Sequence, residues 1–457
     1  MYHMYDTLSL HDDPSKQKLR RGYQQIVISL LLVVLIGFSS RFAMQWALLS
    51  SQAVHREMGY PATADDLERW YPPATQWSVI EPFVSLHEKI EQPPEAEPSE
   101  YELHAQWGKM PFGSRAPEAL LARLREGTKL NASVKAELTA VLGRTESITL
   151  PLTYARAKAG VGTSMPLLRQ LADLYIDEAI VLHAQGQIDE AVVNLQHALR
   201  TADLTKPSLG PSAQLTRAGI ISQVHQLLEQ ILYGQPCSPA LLKPIMAHCA
   251  AENPLRTMPD EIAVIYCQQS FVSGPTYMEQ VSDDNLSAPL AIYRSSRIGV
   301  PDQISAYRSS RRLIAYAKSL IDQPHRWPEP VAEPRFAWIS KLLWSNIHSM
   351  TKAGVSRLAR LRTVIVGLAV KQYVMAEGRF PSGLNELAPT YLDTVVIDPF
   401  DGKPIRYRIV DDHALVYTVG FDLNDDAGRS YRQANEINET KAITEPLVTY
   451  DRTFRVK

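Results

Sequence analysis

Residues Ile26 to Phe38 read IVISLLLVVLIGF without a charge, and a chain carrying such a run must bury it in a core or in lipid. Counted from Tyr23 to Phe42, the segment spans about 20 residues, enough for one helical bilayer crossing. The eleven Ile, Val, Leu or Phe side chains of Ile26–Phe38 each favour insertion by roughly 0.3–0.6 kcal/mol. Arg41 opposes them by about 3 kcal/mol at mid-membrane and by less at the edge, where it can snorkel. No polar face interrupts the block, so it makes a poor soluble amphipathic helix. A cleaved signal peptide is the competing reading, but the nearest small-x-small site, Ser51-Gln52-Ala53, lies far beyond the apolar stretch. Lys16, Lys18, Arg20 and Arg21 precede the segment, against Arg41 and Arg56 after it. The positive-inside rule then leaves residues 1–22 in the cytoplasm, makes 23–42 the transmembrane helix and exports the rest.

The exported part has the composition of a folded chain, since 45% of all 457 residues are hydrophobic and 21% charged. A net charge of −2 supplies no field to hold nucleic acid, and no nucleic-acid partner is expected. Cys237, Cys249 and Cys267 are odd in number and lack metal-type pairing, which reads as buried helical thiols and allows one disulfide at most.

Residues 43–115 are rich in proline and acid, as in Glu91-Gln92-Pro93-Pro94-Glu95-Ala96-Glu97-Pro98, and read as a partly helical spacer. From 116 to 323 helical periodicity dominates. Leu168, Leu171, Tyr175, Ala179 and Leu182 step by three and four, Gly186 breaks the helix, and Ala191, Leu195, Ala198 and Ala202 mark the next. Ile220, Val224, Leu227 and Ile231 form a further stripe ending at Gly234, and Ser238-Pro239 supplies an N-cap and first-turn proline. Prolines 324, 328, 330 and 334 mark a linker over 324–335. Phe336 to Glu377 holds no proline and predicts one long helix or two, stopped by Gly378. Pro404–Val410 and Ala414–Val419 then predict a β-hairpin, with a third strand within Val448–Val456. The fold class is mainly α: a transmembrane helix, a helical repeat-like body and an α+β module over 336–457.

Two stretches resemble known families. Gly186-Gln187-Ile188-Asp189-Glu190-Ala191-Val192, with Leu195 and Ala198-Leu199, resembles the turn and second helix of a tetratricopeptide repeat. Tyr373, Gly378-Arg379-Phe380-Pro381, Gly383-Leu384, Leu387, Tyr391-Leu392, Asp398-Pro399-Phe400, Gly402, Pro404, Tyr407, Val416-Tyr417, Gly420 and Asp422 run in order. This stretch is similar to the globular part of the major pseudopilin of type II secretion systems. The pilin processing signature is absent, because Gly37-Phe38 follows the apolar segment instead of preceding it. The N-terminal helix is therefore expected to retain the protein and not to be processed for polymerisation. The whole layout resembles bacterial membrane-anchored envelope proteins. It implies a single-pass protein of the cytoplasmic (inner) membrane with its body in the periplasm, meeting protein partners in a secretion or pilus-like machine. A cell-envelope helical-repeat scaffold is the alternative.

The candidate site is the acidic loop Asp422-Leu423-Asn424-Asp425-Asp426-Ala427-Gly428, whose side-chain oxygens suit a hard cation such as Ca²⁺. It is no EF-hand, since Ala427 stands where glycine is needed and Gln433 where glutamate is needed. The pseudopilin resemblance implies calcium at Asp422, Asp425 and Asp426, with Asn424 beside them and Asp451 closing the site; a solvated acidic turn is the other reading. Gly160-Val161-Gly162-Thr163-Ser164 lacks the Gly-Lys-Ser/Thr ending of a phosphate loop. His183 and His197 lack a metal-type partner, and Trp338 and Trp344 read as packing residues. No hydrolase or protease motif is present, so no catalytic residues and no enzyme activity are expected.

Overall fold

The apolar run lies within one long helix, α1 (Pro14–Glu57), in the computed structural model, which describes residues 14–94, 97–150, 165–209, 211–271, 300–326, 338–429 and 452–457. Large apolar side chains between Ile26 and Trp46 stand exposed, Leu31 at 63% and Phe38 at 75%, and the helix is long and apolar enough to cross a membrane. Leu48 then packs with Ala62, Ile304 and Tyr307, so the same helix enters the body without a break.

Residues 43–115, read as a partly helical spacer, contain four helical stretches. They continue α1 and then form α2 (Ala64–Trp70), α3 (Trp77–Glu88) and α4 (Glu100–Lys109). Their apolar positions fall on one side of each helix, and Leu67, Ile80, Phe83, Leu86, Leu103 and Trp107 are buried. Thr63 caps α2 by accepting the Asp66 N–H at 3.1 Å, and Ser99 with Glu102 forms a capping box on α4. Glu91 is pinned as well: the Asn131 side chain accepts the Glu91 N–H at 2.9 Å and donates to the Glu91 carbonyl at 2.8 Å. Backbone pairing to the buried Asn131 thus holds Glu91 on the body.

The body continues with α5 (Glu118–Leu130), α6 (Ala132–Leu142), α7 (Met165–Ala184), α8 (Ile188–Asp203), α9 (Pro211–Leu232), α10 (Pro239–Ala251), α11 (Met258–Phe271) and α12 (Val300–Asp322). Helices α7 and α8 form the expected hairpin. Gly186 takes φ +79°, the Gln187 N–H donates to the Leu182 carbonyl at 2.9 Å, and the Gly186 N–H donates to the His183 carbonyl at 3.0 Å. That pattern is a Schellman turn, which requires a residue tolerant of left-handed backbone. Ser238 occupies the N-cap of α10 but makes no side-chain capping bond; its N–H donates to Asp189 Oδ1 at 2.7 Å.

Trp338–Glu377 is a single 40-residue helix, α13, ended by Gly378 at φ +67°. Strands β1 (Arg406–Val410), β2 (His413–Thr418) and β3 (Arg452–Val456) form an antiparallel sheet in the order β1-β2-β3. Tyr407 pairs with Val416, and Val416 with Phe454. The core of this C-terminal part is continuous with that of the body: Leu171, Leu195 and Ile220 belong to the same buried cluster as Leu368, Val416 and Phe454. Gly367 makes the contact possible, because a Cβ there would meet the Phe454 ring at 2.2 Å. Of the proline cluster, Pro324 begins a short 3-10 turn (Pro324–Arg326), and Pro328, Pro330 and Pro334 lie outside the described residues.

Candidate functional site

Where α9, the α10–α11 connection, α13 and β3 meet, a cleft of about 810 Å³ opens. It is lined by five cations, Lys206, Arg217, Arg256, Arg357 and Arg360, against the carboxylates of Glu229 and Glu252. Helix α9 places Arg217, Ile221, His225 and Glu229 on this side by steps of four, and α13 places Arg357 and Arg360 by a step of three.

Most of these charges are matched. Arg217 is buried and spans Asp203 Oδ1 at 2.9 Å and Glu252 Oε1 at 2.5 Å, while Lys206 lies 2.9 Å from Glu252. Burial opposes ionisation of Asp203 and Glu252. The hydrogen bonds and charges of His248 and Arg217 on the first, and of Arg217 and Lys206 on the second, outweigh it and hold both carboxyls below their usual values. Arg360 Nη2 lies 3.0 Å from Glu229 Oε2 and also donates to the His225 carbonyl at 3.2 Å.

Arg357 is different. Its Nε is buried without a hydrogen-bond partner, and it makes no ion-pair contact among the described residues. Burial draws its pKa down, and the charge of Glu261 is the main influence holding the proton on. Glu261 itself accepts from Thr257 Oγ1 at 2.7 Å.

His225 lines the same wall, with its Nε2 3.3 Å from Cys249 Sγ. Burial, aided by Glu252, pushes the Cys249 thiol far up; burial, aided by Arg360 and His248, pushes the His225 imidazole well down. Both shifts favour the uncharged thiol and the uncharged imidazole. The donor atoms of His225, His248 and Cys249 lie within 4.8 Å of one another, as do those of Asp203, His248 and Glu252. The first set is the nitrogen and sulfur donor set of a thiophilic divalent ion; in the second, both carboxylates already hold Arg217.

The acidic loop lies elsewhere, on the surface after β2. Asp422 is half-buried, and Asn424, Asp425 and Asp426 are exposed. Asp422 Oδ1 accepts the Asn424 N–H at 3.2 Å, and Asp425 Oδ1 accepts the Ala427 N–H at 2.9 Å, each closing an Asx turn. Asp425 also lies 3.7 Å from Arg406 Nε. Asp451 and the Gly160–Ser164 stretch fall outside the described residues. His197 stacks on Tyr175 with ring centroids 5.1 Å apart, and Trp338 and Trp344 sit in the first two turns of α13.

Arg217, His225, His248, Cys249, Arg357 and Arg360 carry no motif. The available signal was a polar row on α9, Gln214, Arg217, His225 and Glu229, beside its apolar stripe, and such a row ordinarily faces water. Compared with protein-family models, curated proteins and solved structures, the chain matches none of them.

Proposed function

We propose that the protein is a non-enzymatic, membrane-anchored extracytoplasmic component or accessory of a type II secretion or pilus-like system, acting through protein contacts. The observation that carries this reading is the ordering of one apolar anchor helix, a helical body and a long helix followed by a small antiparallel sheet. The residue pattern from Tyr373 to Asp422 supports the pseudopilin likeness of the last part, and the α7–α8 hairpin supports a tetratricopeptide-like body. The excess of Lys16, Lys18, Arg20 and Arg21 before the span supports a cytoplasmic N-terminus and a periplasmic body at the bacterial inner membrane.

A cell-envelope scaffold is the second reading, favoured by the burial of β3 against α13 and the body, which leaves the sheet less free to dock as a separate module. Cross-linking in intact cells distinguishes the two. Recovery of secretion-system subunits supports the first, and recovery of unrelated envelope proteins replaces it by the second. Protease protection with terminal tags tests the topology, since a protected C-terminal tag in spheroplasts contradicts both. Calcium in the Asp422–Gly428 loop belongs to the pseudopilin reading, and calorimetric titration without heat at millimolar Ca²⁺ removes it.

A further inference from the structure

We propose that the cleft between α9, α13 and β3 is a binding site for a phosphate-bearing organic molecule, with Arg357 as its central contact. The proposal goes beyond the secretion reading and does not depend on it.

An enclosed guanidinium without a hydrogen-bonded anion is costly, and its cost is relieved when an anion arrives. Arg357 is such a group: its Nε is buried and unpartnered, and Glu261, the strongest opposing charge, makes no ion pair with it. Asp203, Glu229 and Glu252 are already engaged by Arg217, Arg360, Lys206 and His248, so none of them pairs with Arg357, although the charge of Glu252 helps to hold its proton on. Arg256 adds a second guanidinium on the same cleft, exposed and without an ion pair among the described residues.

Two uncommitted guanidinium groups match the roughly −1.5 to −2 charge of a phosphate monoester near neutral pH, whereas a single carboxylate would leave one unmatched. The planar fork of arginine suits paired phosphate oxygens. Ser222 and Gln226 offer neutral donors on the same wall. Phe112, Ile221 and Leu361 offer apolar surface, so the molecule carries an apolar portion beside its phosphate. The cleft, at about 810 Å³, is within the range of small-molecule sites.

The test uses the full chain in detergent, titrated calorimetrically with inorganic phosphate and with phenyl phosphate, and the variants Arg357→Met and Arg357→Lys. The wild type is expected to bind phenyl phosphate saturably and more tightly than inorganic phosphate. Arg357→Met is expected to weaken that binding by about tenfold or more, while Arg357→Lys retains part of it. Without ligand, Arg357→Met should melt no lower than the wild type, since it removes an unpaired buried charge. A lower melting temperature would make Arg357 a structural cation and overturn the proposal. So would unchanged affinity in Arg357→Met, or no saturable binding by the wild type at millimolar phenyl phosphate. Short-chain phosphatidic acid in the same detergent separates the sources: preference for it over phenyl phosphate assigns a lipid head group, and the reverse a soluble phosphoester.

Discussion

Arg360 Nη2 lies 3.0 Å from Glu229 Oε2, and Glu229 Oε1 accepts the backbone N–H of Arg455 at 2.9 Å. One buried carboxylate therefore ties α9 to α13 and to β3. Removing one partner of a buried pair strands the other, so Glu229→Ala is expected to cost on the order of 3–5 kcal/mol. Glu229→Gln, which can still accept the Arg455 N–H, should cost less. Urea unfolding of the full chain in detergent reads both, and an unchanged midpoint in Glu229→Ala would show that the link is not structural.

The contact between Gly367 and Phe454 sets how closely the sheet approaches the long helix. A methyl group at position 367 would overlap the Phe454 ring, so Gly367→Ala is expected to destabilise by about 1–3 kcal/mol. Phe454→Ala should cost about 3–5 kcal/mol by leaving a cavity. Since the two residues share one space, the double variant should lose less than the sum of the single losses. Strict additivity in the same unfolding measurement contradicts the packing described.

Acid should weaken the fold partly through His183. This side chain is buried with its Nδ1 unpartnered, and burial, aided by Arg115, lowers its pKa. Below about 6.5, the ordinary histidine value, the unfolded chain takes up a proton that folded His183 resists. The contribution of this residue is therefore fully present above that pH and falls as the pH drops, by at most ~1.4 kcal/mol per pH unit. His183→Gln should flatten the decline between about pH 7 and pH 5.5. A stability difference between the two proteins that does not change with pH would refute the assignment.

Gly186 stands in open space, so its substitution isolates the backbone. At φ +79° a side chain is strained although nothing crowds it, and Gly186→Ala is expected to cost about 1 kcal/mol. Gly186→Asn should cost less, because asparagine tolerates the left-handed region better. Equal melting temperatures for the wild type and Gly186→Ala would remove the Schellman turn as the reason for this glycine.

Local rules were enough wherever the signal lies in consecutive residues. Ile26 to Phe38 is apolar on every face, so a helix suited to lipid follows from length and composition alone. The stripe from Leu168 to Leu182, the break at Gly186 and the resumption at Ala191 encode a hairpin, because a helix repeats every 3.6 residues and glycine permits the turn. The hairpin of β1 and β2 was legible for the same reason, through alternation about Asp411-Asp412.

What the tertiary structure alone decided concerns residues distant in sequence. Proline and acid between 91 and 98 read as part of a spacer, but Asn131, some forty positions away, holds Glu91 on the body. The polar row of α9 looks like a solvated face until α13 and β3 close over it, and only then do Arg217, Arg357 and Arg360 share a cleft. Arg357 shows the physical reason most plainly. Whether a guanidinium is a solvated surface charge or an unmatched buried one depends on which helices exclude water around it, and that is a property of packing, which no local pattern encodes.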